Sequence, residues 1–566
     1  MKEFADSVLR RWLEIEYYAV ANKTKFISRS VEVNYALVAD TVRCLDYMTT
    51  MVENCQRNYV ITIIALMWEH LDKSKYEIKN FALRILTRIG YPTSAIILDD
   101  EYLRSSGKFF RPNSVLDMFT LALEHQRNEV VINEQSFLLT DFQKSIWDAM
   151  DTNKVIGISA PTSAGKSFVL LLKTISRLVA DQLDIAYIIP TLSLQNQVTE
   201  DYHKMFKKLG IDNCRIVNSF IPDTESSGSI VYVLTQEKAL SAFLNEGTAF
   251  SKKLILVVDE IQNIERIQYP TDLRAKILYD TLVEFRQKNS IEQIIISGPR
   301  IDSIDNLGEK IFVDATLELK TLISPVLNLT YSISKVQDDF YLKQYCALIG
   351  SAFLQKIGNA SYISGYGQKQ YTAEYLSFLK EFISNIGDGN QNIVFAPTSK
   401  TAKDIAVAIS SNIIYSKCSL DDLIKYYEDT ISARYAMCAT LQSGVAYHHG
   451  KLPMHVRRTL EKAIADKKIR DVVCTTTLMQ GVNMPAQNVI VRNPHLYTKK
   501  SDSSAELSSY EMANLRGRAG RLLKDFVGRT FVLDESSFEG IEEYDQMSLF
   551  NMTIPLAQGV QFSERT

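Results

Sequence analysis

The segment Ala160–Ser167, which reads APTSAGKS, constrains the fold more than any other part of the chain. It follows the apolar run Val155–Ser159, which is typical of a buried strand, and precedes an apolar helical pattern that begins at Phe168. A strand, a glycine-containing loop and a helix in this order direct the helix N-terminus at one place, where backbone N–H groups can surround a phosphate. The segment therefore predicts an α/β fold with a parallel sheet and a phosphate site at the end of this strand.

Within this loop, two side chains have expected roles. Lys166 holds the position that reaches β- and γ-phosphate oxygens, and the Ser167 hydroxyl holds the position that ligates Mg²⁺. The predicted nucleotide-binding residues of the loop are Thr162, Ser163, Ala164, Gly165, Lys166 and Ser167. A strict phosphate-loop pattern begins with Gly, whereas this segment begins with Ala160, so the prediction depends on the strand and the helix that flank the loop.

Two carboxylates and two arginines complete the chemistry of hydrolysis. Asp259 and Glu260 follow the apolar run Leu254–Val258, which is typical of a buried parallel strand. We expect Asp259 to bind the metal and Glu260 to orient or deprotonate the attacking water. Arg518 and Arg521 have the spacing of arginines that stabilise charge on a transferring γ-phosphoryl group. Together these residues predict a nucleotide-hydrolysing motor.

Composition is consistent with an intracellular enzyme of several domains. The chain has 566 residues, of which 46% are hydrophobic and 23% charged. It contains no signal-like beginning and no run of about 18 apolar residues, so we expect no membrane association. The seven cysteines form no Cys-x-x-Cys pair, which argues against structural zinc and favours the reducing cytoplasm. The net charge of −3 does not decide whether nucleic acid binds, because only the contacted phosphates matter.

The chain divides into segments of different pattern. Helical periodicity, little broken by Gly or Pro, predicts an all-helical domain at residues 1–125. Alternating strand-like and helical stretches predict two parallel-sheet lobes at 126–320 and 385–535. We expect residues 321–384 to form a connector and 536–566 a C-terminal tail. The nucleotide would bind in the cleft between the lobes.

Further segments occur in an order that is typical of one family. They are Ile188–Leu192, Leu234–Lys238, Val394–Thr398, Gly444–Leu452, Thr475–Ala486 and Asn514–Arg521. With these segments the chain resembles the superfamily 2 helicases, and within them the Ski-like branch of Ski-type RNA helicases and archaeal DNA-repair helicases. The resemblance extends from about Phe137 to Leu533. It implies two RecA-like lobes that use ATP and Mg²⁺ and act on nucleic acid.

The resemblance assigns roles to further residues. Gln143 matches a glutamine that reads adenine, although a glutamine exposed at a helix start is the alternative. Gly481 and Asn483 match positions near the ribose and the cleft, and the resemblance places Arg518 and Arg521 on the second lobe. Hydroxyls suited to nucleic-acid phosphates are expected at Thr191, Thr235, Thr398 and Thr476.

The resemblance also implies a device for separating strands. In this branch a β-hairpin splits the duplex, and residues 488–508 are the corresponding segment, with Tyr497 near its tip. The alternative is a plain sheet strand followed by a surface loop.

Three positions depart from the family pattern. Gln262 stands where this branch has His, Ser297–Pro299 reads Ser-Gly-Pro in place of Ser-Ala-Thr, and Asn514 replaces Gln. Gln and Asn still donate and accept hydrogen bonds, so we expect hydrolysis to survive, while its coupling to strand separation stays open. The stretch after Arg521 is too short for the winged-helix and ratchet domains of this branch, which indicates a truncated chain or a second protein that completes the channel.

Two classes of function follow. The first is an ATP-dependent helicase or translocase, 3′-to-5′ by resemblance, on single-stranded or tailed duplex nucleic acid, with DNA favoured over RNA. The second is an ATP-gated switch that senses nucleic acid and restrains or activates a partner with little unwinding. By analogy of architecture, the role would be DNA processing or anti-phage defence beside a nuclease effector, as in the Hachiman type. The chain has no guanine-reading Asn-Lys-x-Asp sequence, which argues against a GTPase.

Overall fold

The computed structural model describes most of the chain in two compact units. The described residues are 2–50, 54–72, 78–94, 98, 114–221, 228–245, 249–268, 273–299, 301–349, 353–368, 370–387, 390–410, 420–475, 486–492, 495–496, 505–506, 520 and 526–538. One unit, here called the P-loop unit, contains Leu86–Ser324, and the other, here called the composite unit, contains Met1–Ile85 and Pro325–Met552. Within the described ranges, no helix has the length and apolarity that a membrane crossing requires.

The chain begins with helices, as predicted. They are α1 (Lys2–Lys23), α2 (Tyr35–Met48), α3 (Asn54–His70) and α4 (Ile78–Arg88). Apolar residues at helical spacing bury one face of α1, and the buried Trp12 indole donates a hydrogen bond of 2.8 Å to Thr41 on α2. A buried polar tip with a partner is the usual arrangement for tryptophan, so this contact fixes how the first two helices pack.

The P-loop unit alternates strands and helices. Its elements are α5 (Val115–Asn128), β1 (Glu129–Ile132), β2 (Gln135–Leu138), α6 (Asp141–Ala149), β3 (Val155–Ser159), α7 (Lys166–Asp181), β4 (Asp184–Ile189), α8 (Leu192–Leu209), β5 (Arg215–Val217), β6 (Ile230–Thr235), α9 (Gln236–Asn245), β7 (Leu254–Val258), α10 (Leu273–Arg286), β8 (Ile291–Gly298), α11 (Ile304–Phe312) and β9 (Thr316–Lys320). Short 3₁₀ turns lie at Pro92–Ser94, Thr162–Ala164 and Ile261–Gln268.

Seven of these strands form one parallel sheet, in the spatial order β5, β6, β4, β7, β8, β3, β9. Both faces are buried, because alternate residues of a strand enter two separate apolar clusters. On β4, for example, Ile185 and Tyr187 belong to one cluster, and Ala186 and Ile188 belong to the other. Continuous burial of this kind is why strands β3 and β7 read as unbroken apolar runs in the sequence. The predicted parallel α/β fold is confirmed.

The composite unit contains a second sheet. Its remaining elements are β10 (Leu327–Val336), β11 (Asp339–Tyr345), β12 (Phe353–Lys356), α12 (Ala373–Ile386), β13 (Asn392–Phe395), α13 (Ser399–Ser410), α14 (Asp421–Thr430), α15 (Ala436–Gln442), β14 (Val445–His448), α16 (Met454–Ala465), β15 (Asp471–Cys474), β16 (Asn488–Val491), β17 (His495–Leu496), β18 (Ala505–Glu506), β19 (Val527–Val532) and a 3₁₀ turn at Glu535–Phe538.

Eight strands of this unit pair in the order β12, β11, β10, β19, β16, β13, β15, β14. Those from β10 to β14 in this order are parallel, whereas β11 and β12 extend one edge in antiparallel fashion. The strands β10–β12 fall within the segment 321–384 that we predict as a connector, so part of that segment belongs to the sheet. The predicted boundaries of the domains stay predictions.

A buried ionic cluster joins the N-terminal helices to this second sheet. The fully buried Glu16 of α1 accepts hydrogen bonds from Arg529 of β19 at 2.7 and 3.1 Å, and from the Tyr331 hydroxyl of β10 at 3.0 Å. His70 of α3 lies 2.6 Å from the same carboxylate, and Glu69 accepts from Arg529 at 3.0 Å. Burial acts to raise the pKa of Glu16, but the charge of Arg529 and these hydrogen bonds outweigh it and hold that pKa well below its usual range. These five residues are called the Glu16 cluster below.

Candidate functional site

The phosphate loop forms a tight turn between β3 and α7. Thr162–Ala164 makes a 3₁₀ turn, and Gly165 has φ of +73°, in the left-handed region that glycine adopts without strain. The helix begins at Lys166, which is 6% exposed. Its ammonium group donates to the carbonyl oxygens of Ala160 at 2.6 Å and Pro161 at 3.1 Å. The lysine is therefore folded back over the loop that is predicted to bind the nucleotide phosphates.

The other predicted loop residues lie in the same turn. Thr162 and Ser167 are exposed, and Ala164 is buried. The Ser163 hydroxyl lies 2.9 Å from that of Ser324. The N-terminus of α7 is the end at which unpaired backbone N–H groups and the helix dipole favour an anion. The geometry of the loop is therefore suited to phosphate.

The acidic pair lies at the same edge of the sheet. β8 runs between β3 and β7, with Ser159 opposite Gly298, so the three strands end side by side. Asp259 directly follows β7, and its Oδ1 accepts from the Ser297 hydroxyl at 2.6 Å and from the Glu260 N–H at 3.0 Å. The Tyr187 hydroxyl of β4 donates to Oδ2 at 3.4 Å. Burial and the negative charge of Asp259 together raise the pKa of Tyr187 well above its usual range.

Glu260 stands in an unusual backbone conformation. Its φ is +57°, a region that residues with a Cβ seldom adopt and that costs of order 1–3 kcal/mol. Its carboxylate accepts a hydrogen bond from the side-chain amide of Gln262, which is 3% exposed. The Asn263 side-chain amide donates to the Glu260 carbonyl at 2.8 Å and supports the turn. One amide thus contacts the Glu260 carboxylate and the other contacts its backbone.

Gln143 lies beside the phosphate loop. It is buried at the start of α6, where it forms a capping box with Thr140, and its side-chain amide also donates to the Gly165 carbonyl at 3.2 Å. The alternative of an exposed helix-start glutamine is therefore wrong. The structural role of Thr140 is absent from our sequence-based predictions, although Thr-x-x-Gln before an apolar pattern is the signal that would have found it.

The donor set at this edge is suited to magnesium. The Ser167 hydroxyl and the Asp259 carboxylate offer oxygen ligands, which Mg²⁺ prefers. Among the residues that the structure describes, no group of three or more His, Cys, Asp or Glu side chains could hold a metal alone. Mg²⁺ is commonly held by one or two protein ligands, with water and substrate phosphates as the others.

Three of the threonines predicted to contact nucleic acid have structural partners. Thr191 caps α8 by accepting from the Leu194 N–H at 3.3 Å, and Thr398 accepts from the Thr401 N–H at 3.1 Å at the start of α13. Thr235 is 4% exposed at the end of β6, and its hydroxyl contributes a hydrogen bond to Glu237. Thr191 and Thr398 thus mark helix N-termini, whereas Thr235 is buried.

Several predicted site residues lie outside the described part of the chain. These are Thr476, Gly481, Asn483, Tyr497, Arg518 and Arg521. In the segment 488–508, residues 488–491 form sheet strand β16, and beyond it His495 pairs with Glu506 and Leu496 with Ala505 in antiparallel register. This short ladder agrees with a hairpin in the predicted place, while the predicted tip is not among the described residues.

Comparison with known proteins shows what the chain is similar to. The DEAD/DEAH box helicase family matches residues 140–296, which contain both the phosphate loop and the acidic pair. Over these residues the chain is therefore similar to the helicase domain of that family. It is 26% identical over 419 residues to the ATP-dependent DNA helicase Hel308 of Thermoplasma volcanium, covering 72% of this chain and 54% of that protein.

Other proteins are similar over about the same share of the chain. The chain is 24% identical over 426 residues to the ATP-dependent DNA helicase MER3 of Saccharomyces cerevisiae, covering 71% of this chain and 32% of that protein. It is 24% identical over 430 residues to the anti-bacteriophage protein B of Escherichia coli, covering 70% and 48%. A structure of the DUF1998 helicase MrfA bound to DNA has a TM-score of 0.47 and 16% identity, covering 70% of this chain and 49% of that one. The chain thus spans about half the length of the Hel308 proteins it matches.

Proposed function

We propose that this chain hydrolyses ATP and uses the energy to move along a nucleic-acid strand, 3′ to 5′, as a helicase or translocase. One observation carries the proposal. Lys166 and Ser167 begin α7 directly after β3, and Asp259 and Glu260 follow a strand that ends at the same edge of the same parallel sheet. Phosphate-binding and carboxylate groups that converge at the ends of parallel strands are the arrangement that hydrolysis of a nucleotide requires.

Each residue would act through a distinct interaction. Lys166 would exchange its two carbonyl partners for phosphate oxygens, and backbone N–H groups at Gly165–Ser167 would surround them. Ser167 and Asp259 would hold Mg²⁺, which neutralises charge on the phosphates when bound. Glu260 would accept a proton from, or orient, the attacking water. Arg518 and Arg521 would stabilise the charge that develops on the transferred group, an effect worth about 10³–10⁵ in rate for such arginines.

Contact with the strand would be independent of its sequence. The N-termini of α8 and α13, capped by Thr191 and Thr398, present backbone N–H groups of the kind that bind backbone phosphates. Thr476 and the hairpin around Tyr497 would add contacts. We favour DNA over RNA because two relatives are named as DNA helicases.

The similarity to the anti-bacteriophage protein of Escherichia coli supports a role in anti-phage defence. DNA processing is the other role we consider. The partner we propose is a nuclease effector. A switch that binds ATP and nucleic acid with little unwinding is the second candidate. Two substitutions favour it. Gly298 and Pro299 replace the Ala and Thr of the family motif, and Ser297 of the same motif donates a hydrogen bond to Asp259.

Strand displacement separates the two candidates. The chain would be incubated with ATP and with duplexes that carry a 3′ tail, a 5′ tail or no tail, in DNA and in RNA, and Lys166→Ala would be the control. A helicase releases the strand from the 3′-tailed duplex only, and Lys166→Ala releases none. ATP hydrolysis without strand release on any substrate would support the switch, and release by Lys166→Ala would refute the proposed site.

A further inference from the structure

Two departures from the family pattern meet at one point beside the acidic pair. Gln262 follows Glu260 on the 3₁₀ turn after β7, and Gly298 is the last residue of the adjacent strand β8. The Gln262 amide donates to the Glu260 carboxylate. A Cβ placed on Gly298 would lie 2.5 Å from the Gln262 Oε1, well inside van der Waals contact. The buried glutamine therefore occupies space that exists because residue 298 has no side chain.

Gly298 is not required by its backbone. Its φ lies outside the left-handed region, so alanine could adopt the same conformation. Its carbonyl accepts from the Ala160 N–H at 3.2 Å, which places it against the start of the phosphate loop. The neighbouring Ser297 donates to Asp259. Residue 298 thus contacts the phosphate loop. Ser297 contacts the Asp259 carboxylate directly, and Gly298 lies against Gln262, which contacts the Glu260 carboxylate.

We propose that Gln262 is a positioning residue that aims the Glu260 carboxylate, and that Gly298 is the partner that makes this orientation of Gln262 possible. The inference rests on the proposed ATP hydrolysis at this site. A neutral amide can donate to a carboxylate without competing for its proton, so Glu260 keeps its capacity to accept a proton from water. A side chain at residue 298 would push the Gln262 amide away and leave Glu260 without this donor.

The pair is tested in a background that isolates it. A Cβ at residue 298 would also meet Ile301 Cδ1, so the reference protein carries Ile301→Val, which removes that atom. Gly298→Ala, Gln262→Ala and the double variant are made in this background. Gln262→Met keeps about the size of the side chain and removes the N–H donor without adding a charge. The readouts are kcat and KM for ATP with single-stranded DNA, and the melting temperature.

The expected result is a loss of kcat with little change in KM, because Lys166 and the loop still hold the phosphates. Loss of a hydrogen bond to a charged group predicts a decrease of about 10- to 100-fold for Gly298→Ala, Gln262→Ala and Gln262→Met. The double variant should be no slower than the slower single variant, because both changes remove the same contact. Gly298→Ala should lower the melting temperature in the reference protein but not in Gln262→Ala.

Two failures are distinguishable. If the reference protein hydrolyses ATP and Gly298→Ala is equally fast, or if the losses in the double variant multiply, the positioning role is refuted. If neither the wild type nor the reference protein hydrolyses ATP, the proposed function fails, and the melting temperatures alone then decide whether residues 262 and 298 are coupled. Equal lowering of the melting temperature by Gly298→Ala in both backgrounds would refute the coupling.

Discussion

The Glu16 cluster predicts that one conservative change loosens the N-terminal helices from the second sheet. Glu16→Gln keeps the size of the side chain and removes its charge, which leaves Arg529 buried with Glu69 as its remaining carboxylate in the cluster. Removing one partner of a buried ion pair costs about 3–5 kcal/mol. Because Glu69 is 36% exposed and still accepts from Arg529, we expect the lower end, about 3 kcal/mol.

Tryptophan fluorescence measures this loss. The chain has three tryptophans, and Trp12 and Trp68 lie on helices of the composite unit, so Trp147→Phe leaves only those two as reporters. In that background, Glu16→Gln should lower the urea midpoint by about 1 M. The exposed Glu3→Gln on the same helix should leave the midpoint unchanged within the equivalent of about 0.5 kcal/mol. An unchanged midpoint for Glu16→Gln would show that the charge of Glu16 does not stabilise the packing of the N-terminal helices on the second sheet.

The same cluster has a defined pH dependence. The pKa of Glu16 is lowered on folding, so its contribution is present above its unfolded value near 4.5 and is lost as the pH falls below it. The difference in stability between the wild type and Glu16→Gln should therefore shrink as the pH falls below about 4.5. A difference that grows as the pH falls through this range would contradict this assignment. Replacing Glu16 and Arg529 together by Met should restore most of the stability.

Three further predictions concern the site itself. Ser297→Ala removes the donor at 2.6 Å to Asp259 and should weaken Mg·ATP binding about 10-fold, measured by calorimetry with a non-hydrolysable analogue; equal affinity would contradict it. Gln143→Ala removes the capping box and should lower the free energy of unfolding by about 1 kcal/mol while reducing the preference for ATP over GTP, measured by competition binding. Thr191→Val should lower the free energy of unfolding by about 1 kcal/mol through the lost cap and should weaken binding of single-stranded DNA. An unchanged affinity for DNA would mean that Thr191 only caps the helix and does not contact nucleic acid.

The parallel-sheet fold could be predicted from the sequence because its signals are local. Buried strands such as Val155–Ser159 and Leu254–Val258 read as unbroken apolar runs, and Gly165 and Lys166 stand at a strand-to-helix junction. The ends of parallel strands meet at one edge, so residues that follow different strands can be assigned to one site without knowing the full topology.

The contacts between distant segments could not be predicted in this way. Glu16 and Arg529 are separated by most of the chain, and nothing local to either residue indicates the other. Gln262 and Gly298 are each a plain departure from a motif, and only the approach of a 3₁₀ turn to the end of β8 makes them one contact. Thr235 reads as an available hydroxyl in the sequence, but its strand is buried to the last residue.

The most direct test of the central claim is ATP hydrolysis by the wild type and by Glu260→Gln, each without nucleic acid and with single-stranded DNA, single-stranded RNA or blunt duplex. We expect one single-stranded polymer to stimulate the wild type strongly and Glu260→Gln, which cannot accept a proton, to stay inactive with all of them. Equal, unstimulated hydrolysis with every polymer, or hydrolysis by Glu260→Gln at the wild-type rate, would contradict it.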